Sequence, residues 1–122
     1  MPELVTRHTL LYYDLFKPDI TGESSSHEQT LLLVHGFAGT PTSDFADQLS
    51  TFQAHYTVLA PHLHGYGRST QRQKYTLDFY RTDVADLIEL LDYLQLERVY
   101  VVGFSDGAIV SLLLAALHPE RV

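Results

Sequence analysis

The sequence contains no cysteine among its 122 residues. Disulfides, thiolate chemistry and cysteine-based zinc or iron–sulfur sites are therefore excluded, and a cytoplasmic setting fits this composition. Basic residues are also scarce, since lysine and arginine number eight and the formal net charge is -7. Because neutralising phosphates requires clustered basic side chains, we do not expect the chain to bind nucleic acid.

Long apolar runs and a signal peptide are lacking as well. The longest apolar stretch, residues 108–117, is interrupted by Ser111 and is far shorter than a membrane span. The first residues do not have the basic start and apolar core of a signal peptide. We therefore expect no membrane association, and the length and 45% hydrophobic content fit one globular domain.

Apolar patterning predicts strands that alternate with helices. The strands are expected near residues 5–16, 30–34, 56–60 and 98–102, and the helices near 43–53, 77–96 and 107–117. Thr42 or Ser43 is expected to cap the first helix, and Thr76 the second. This alternation predicts an α/β fold over residues 1–122, with a mostly parallel sheet and helices on both faces.

A strand, a sharp turn and an apolar helix follow one another in the last fifth of the chain. The run Val99–Val102 leads into the turn Gly103-Phe104-Ser105-Asp106-Gly107. The two glycines stand where a side chain would collide with neighbouring backbone, so this pattern indicates a G-x-S-x-G nucleophile elbow with Ser105 at its tip. Two earlier glycine turns, at Gly36 and Gly65, also follow strands, and all three should meet at the carboxyl edge of the sheet.

Four motifs in this order resemble the N-terminal half of the α/β-hydrolase superfamily: HGFAGT, HGYGRS, GFSDGA and LHPERV. The resemblance covers residues 30–122 and is greatest to the esterase and C–C hydrolase-like branch, in which G-x-S-D-G elbows occur. It implies a serine hydrolase that forms an acyl-enzyme on Ser105 with an ester or similar small acyl substrate and needs no cofactor.

The resemblance also implies roles for the residues around Ser105. The backbone N–H groups of Phe37 and Asp106 would be the oxyanion-hole donors. His35 would hold its loop in place and would not be the catalytic base. The supporting loop positions would be His35 together with Gly36, Gly103 and Gly107.

The sequence contains two further groups of polar residues. His62 stands where the family commonly has an acidic residue, so the resemblance does not indicate which contacts the loop around His62 makes. His62 and His64 have no evident third ligand, so we expect them to pack within the loop and expect no metal site. The carboxylates of the second predicted helix, near residues 77–96, are expected to form a solvated helix face: Asp78, Asp83, Asp86 and Glu89.

The catalytic acid and histidine of this family follow the nucleophile in the chain. Only seventeen residues follow Ser105, and none is an acid or histidine of the expected kind. Three hypotheses remain open, of which one is a purely structural product of truncation or processing and the other two concern function. This chain either carries the nucleophile half of an enzyme, inactive until a second chain supplies the C-terminal half or until it self-associates across the Val99–Val102 edge, or it is a non-catalytic binding or interaction subunit that keeps the fold.

Overall fold

Five strands form one sheet in the computed structural model, which describes residues 2–18, 29–72 and 78–122. In chain order β1 to β5 are Glu3–Val5, Leu10–Phe16, Thr30–Val34, Thr57–Pro61 and Tyr100–Gly103. Across the sheet the order is β1-β2-β4-β3-β5. Strand β3 runs parallel to both β4 and β5, whereas β2 pairs antiparallel with β1 and β4. The predicted α/β class is confirmed, and the sheet is mixed.

The two central strands are apolar apart from the threonine at the start of each. Every residue of β3 and of β4 is buried. Their register places Leu31 beside Val58 and Leu32 beside Leu59. Because successive side chains point to opposite faces, burial of both faces requires helices on both sides of the sheet.

Four helices supply that cover. In chain order α1 to α4 are Pro41–Phe45, Leu49–His55, Phe79–Tyr93 and Asp106–Leu117, and a 3₁₀ turn follows at Pro119–Arg121. Helices α3 and α4 pack on one face around Leu32 and Leu59, whereas α1 and α2 pack on the other around Leu31 and Val58. Among the helices of the described residues, none is long and apolar enough to cross a bilayer.

The single helix predicted at 43–53 is two helices. Thr40, and neither Thr42 nor Ser43, is the N-cap of α1, and the Thr40 and Ser43 side chains form a reciprocal capping box. Helix α1 ends at Phe45, whose ring is buried against β3, whereas α2 packs on β4. The chain breaks between them because each short helix is fixed to a different strand.

Helix α3 is shorter than the segment predicted at 77–96. It begins at Phe79 after Asp78, and the predicted cap Thr76 lies outside the described residues. The helix ends just before Gln95, which adopts a left-handed φ of 59°. Glycine is the usual residue at such a position, so the sequence does not indicate this helix end. Most of the polar segment 17–29 also lies outside the described residues.

Two of the four carboxylates expected on a solvated face of α3 are instead buried, so that prediction was wrong. Asp83 is 2% exposed and Asp86 is 1% exposed. Asp83 is paired with the buried guanidinium of Arg72, and Asp86 accepts a hydrogen bond of 2.7 Å from the Thr6 hydroxyl. Each carboxylate has a partner that is distant in sequence or lies in a loop, which a helical pattern does not indicate, and the second carboxylate oxygen of Asp86 is buried without a hydrogen-bond partner.

Strand β5 forms one edge of the described sheet. Its pairing partner is β3, and the Tyr100 side chain is about half exposed. Helix α4, next to β5, is also incompletely covered, because Ile109, Leu112 and Leu117 are exposed. The apolar surface formed by the β5 edge and these three side chains is called the β5–α4 surface below.

Candidate functional site

Ser105 lies between β5 and α4, where the chain turns sharply from strand to helix. Its backbone has φ 55° and ψ -119°, a combination that L-residues disfavour, and its side chain is exposed. No side-chain capping bond to α4 compensates for this conformation. The serine hydroxyl therefore stands at the tip of the turn, above the carboxyl edge of the parallel strands.

The glycines two residues before and after Ser105 are required by packing. A Cβ atom at Gly103 would lie 2.5 Å from the Ser111 hydroxyl and 2.7 Å from the Ala108 Cα. A Cβ atom at Gly107 would overlap the Val34 carbonyl oxygen and lie 2.5 Å from that of His35. Only glycine allows α4 to approach β5 at Gly103 and the end of β3 at Gly107.

The loop after β3 lies directly beside the serine. A Cβ atom at Gly36 would be 3.2 Å from the Ser105 Cβ, and the Phe104 amide donates to the Val34 carbonyl at 3.0 Å. Phe37 follows Gly36 with an exposed ring, and Asp106 is the first residue of α4. The N–H of a first helical residue has no partner within its helix and lies at the positive end of the helix dipole.

His35 is fully buried and holds this loop. Its Nε2 accepts a hydrogen bond of 2.9 Å from the Leu63 amide, and its Nδ1 lies 2.8 Å from the Gly36 carbonyl oxygen. Nδ1 therefore carries the proton of the neutral ring. Burial lowers the pKa of His35, which favours that neutral form. With both ring nitrogens occupied, His35 cannot act as a base for Ser105.

Asp44 is a site residue that the sequence did not indicate. Its Oδ2 accepts a hydrogen bond of 2.7 Å from the Gly36 amide, which fixes α1 to the loop after β3. The same carboxylate lies against Gly39, where a Cβ atom would be 2.8 Å from Oδ1. The aspartate follows the capping box of α1 directly, but its spacing from Gly36 matches no recognised motif.

The HGYGRS motif forms a closed turn on the other side of the loop. The His62 Nδ1 accepts a hydrogen bond of 3.0 Å from the Arg68 amide, and Gly67 has a positive φ of 55°. The Tyr66 ring makes edge contacts with the rings of His35 and Phe37, at centroid separations of 5.4 and 5.7 Å. This turn thus supports the loop that carries Phe37.

A narrow cavity of about 10 Å³ separates this loop from the start of α4, and about one water molecule would fill it. Tyr80, Asp83 and Asp106 contribute to its wall. Burial and a hydrogen bond to the Asp106 carboxylate raise the pKa of Tyr80. Burial also raises the pKa of Asp83 to about 7, although the Arg72 guanidinium lies 2.5 Å away and opposes the rise.

Several predicted site residues are therefore brought together. Ser105, Gly36 and Asp106 converge within one region, with Phe37 beside them. His118, the histidine that follows Ser105 in the sequence, is not a predicted site residue and lies at the opposite end of α4. Within residues 2–18, 29–72 and 78–122, no three histidine or carboxylate side chains are grouped so that they could hold a metal ion.

Comparison with known proteins identifies the family to which this architecture belongs. The model of the alpha/beta hydrolase fold family matches residues 29–122. The chain belongs to this family. The chain is 35% identical over 98 residues to the mouse protein "Serine hydrolase BPHL", covering 78% of the chain and 33% of that protein. It is also 35% identical to human "Epoxide hydrolase 4" over 95 residues, which cover 75% of the chain and 25% of that protein.

Solved structures have the same fold as this chain. The enol-lactonase from Burkholderia xenovorans superposes with a TM-score of 0.82 at 26% identity, covering 99% of the chain and 44% of that structure. The chain thus spans about a third of the length of the mouse relative and less than half of the lactonase. The expected membership of the superfamily is confirmed.

Proposed function

We propose that this chain carries the nucleophile of a serine hydrolase that acts on an ester or similar acyl substrate. The observation that carries the proposal is the backbone of Ser105, a non-glycine residue held at φ 55° at an exposed strand-to-helix turn. Residues held in disfavoured conformations cluster at active sites. Two similar proteins support an acyl substrate, since one is a serine hydrolase and the other an enol-lactonase, and a lactone is a cyclic ester.

In the proposed reaction, the Ser105 oxygen attacks the carbonyl carbon and its proton passes to a histidine base. The tetrahedral oxyanion accepts hydrogen bonds from the backbone N–H groups of Phe37 and Asp106. The histidine then donates the proton to the leaving alcohol as the C–O bond breaks, and water hydrolyses the resulting serine ester. Each oxyanion donor would contribute about 3 kcal/mol to transition-state stabilisation.

The acid and the histidine are proposed to come from polypeptide outside these 122 residues. His35 is committed to the Leu63 amide and the Gly36 carbonyl. The matched segment covers 33% of the mouse protein, so that protein is about three times as long as the segment. The polypeptide that supplies the two residues would also cover the β5–α4 surface, either as a continuation of the chain or as a second chain. Self-association across β5 is the other way to cover this edge.

A binding role without turnover is the second candidate. It is favoured by the exposed rings of Phe37 and Phe104 on either side of Ser105, which offer an apolar surface for a ligand. It is also favoured by the engagement of both ring nitrogens of His35, the histidine in the loop beside the serine.

Labelling with a fluorophosphonate probe distinguishes the two candidates. The probe should be applied to the chain together with the polypeptide that completes it, and the modified residue should be identified by mass spectrometry. We expect labelling at Ser105 that is lost in Ser105→Ala and kept in Ser50→Ala, because Ser50 is an exposed serine of α2. A folded assembly that remains unlabelled would contradict the enzymatic proposal and support binding without turnover.

A further inference from the structure

The turn formed by residues 62–69 closes around the imidazole ring of His62. The Arg68 amide donates to the ring Nδ1 at 3.0 Å, and a Cβ atom at Gly67 would lie 2.9 Å from the ring Cγ. The Ser69 hydroxyl donates to the His62 carbonyl oxygen. Because Nδ1 accepts a hydrogen bond, the proton of the neutral ring is on Nε2.

The same turn contacts the loop beside Ser105 at two points. The Leu63 amide donates to the Nε2 of His35 at 2.9 Å, and the Tyr66 ring lies against the rings of His35 and Phe37. Tyr66 is itself held by the turn, because its amide donates to the Leu63 carbonyl and its carbonyl accepts from the Ser69 amide. The conformation of the turn therefore determines what Phe37 packs against.

We propose that neutral His62 is a positioning residue for the loop that carries Phe37, because its Nδ1 accepts the Arg68 amide and so keeps the Tyr66 ring in place. This inference rests on the proposed function only where it assigns Phe37 to the oxyanion hole. Protonation of His62 would replace the Nδ1 acceptor with a donor that faces the Arg68 N–H. The hydrogen bond would then be lost, and the turn and Tyr66 would loosen together.

Charged and titratable groups surround His62 from several elements. Asp14 on β2 lies 3.7 Å from Nε2 and favours the charged ring, whereas Arg68 in the turn and His35 after β3 disfavour it. Tyr12 on β2 packs edge-on against the ring at 4.8 Å. Burial is the largest influence, and the pKa of His62 is lowered from its ordinary value. The neutral, accepting form is thus the native one near neutral pH.

Two variants with amide side chains distinguish the role of the Nδ1 acceptor from that of the remainder of the His62 ring. In His62→Asn the side-chain oxygen can occupy the position of Nδ1, and the asparagine amide does not titrate between pH 5 and pH 8. In His62→Gln the amide extends to the position of Nε2, so the acceptor for the Arg68 amide is lost. A merely structural histidine would not make the two variants differ in this way.

Amide hydrogen exchange and ¹⁵N NMR of the 122-residue chain test the proposal. At pH 8 we expect an unprotonated His62 Nδ1 and equal Arg68 protection in wild type and His62→Asn, with about fivefold lower protection in His62→Gln. On acidification through the midpoint of the His62 ring, wild type should lose this protection and the Phe37 amide resonance should shift with the same midpoint, whereas His62→Asn should change in neither respect.

Three results would overturn the inference: a protonated Nδ1 at pH 8, Arg68 protection that stays constant while the wild-type ring titrates, or equal behaviour of the two variants. The first two need no variant, so the test survives if a variant fails to fold. Fluorophosphonate labelling of the completed assembly is a separate readout. If the amides respond as expected but Ser105 is never labelled, the proposed function fails while the role of His62 stands.

Discussion

Replacing Ser105 with glycine should stabilise the fold, because serine holds a conformation that glycine adopts freely. A non-glycine residue at φ 55° and ψ -119° costs about 1–3 kcal/mol. Glycine avoids this cost but loses about 0.5–1 kcal/mol relative to alanine through the greater entropy of the unfolded chain. The balance predicts that Ser105→Gly is about 1 kcal/mol more stable than Ser105→Ala.

Alanine is the appropriate reference for this comparison. It keeps the Cβ that causes the strain, and the serine hydroxyl that it removes is exposed and makes no capping bond to α4. Ser105→Ala should therefore unfold close to wild type. The same pair of substitutions at Ser50, within α2, provides a control of opposite sign, because glycine in a helix is about 1 kcal/mol less favourable than alanine.

Urea denaturation followed by circular dichroism measures the difference, and thermal unfolding should show a gain of about 4 °C for Ser105→Gly over Ser105→Ala. The m-values of the two variants should agree, so that a change of midpoint reports stability alone. If Ser105→Gly proves equal to or less stable than Ser105→Ala while the Ser50 pair behaves as expected, the elbow stores no strain at Ser105 and the reasoning is refuted.

Three further predictions concern packing, charge and association. Gly107→Ala should lose more than about 4 kcal/mol of stability, because its Cβ would overlap the Val34 carbonyl; wild-type urea unfolding would contradict this. Arg72→Met should lose about 1–3 kcal/mol in the same assay, because the buried Asp83 side chain loses its partner and becomes a neutral acid, whereas Arg72→Met combined with Asp83→Leu should recover most of the loss. In size-exclusion chromatography with light scattering, the chain alone should run larger than a monomer, and a monodisperse 13.8 kDa species would show that the β5–α4 surface needs no partner.

The elbow could be predicted from sequence because its constraints are local. Glycine two residues before and after a serine, between an apolar strand and an apolar helix, already implies a tight turn, and the contacts of Gly103 and Gly107 supply the physical reason. The central strand β3 could be predicted in the same way, since the four consecutive apolar residues that follow Thr30 require burial on both faces.

The burial of charge on α3 could not be predicted by such local reasoning. Asp83 and Asp86 follow the spacing of an exposed face, and their burial depends on Arg72 in a loop and on Thr6 in the hairpin turn between β1 and β2. Thr6 is separated from Asp86 by eighty positions in the sequence. A helical pattern identifies which residues share a face, but the fold decides which polar partners meet that face.

The capping of α1 shows a different limit. The sequence prediction places the cap at Thr42 or Ser43, although Pro41 at the first helical position favours an N-terminus at Thr40. The break after Phe45 has no such signal, because it arises from the attachment of α1 and α2 to different strands.

The contact of Gly107 with the carbonyl groups of Val34 and His35 has a consequence for the energetics of substrate binding. It joins the start of α4 to the loop after β3, so the spacing between the two proposed oxyanion donors is set when the sheet folds. Aligning the donors then requires no loop closure on the substrate, and the entropic cost of organising the site falls on folding. Binding would order little besides the substrate itself.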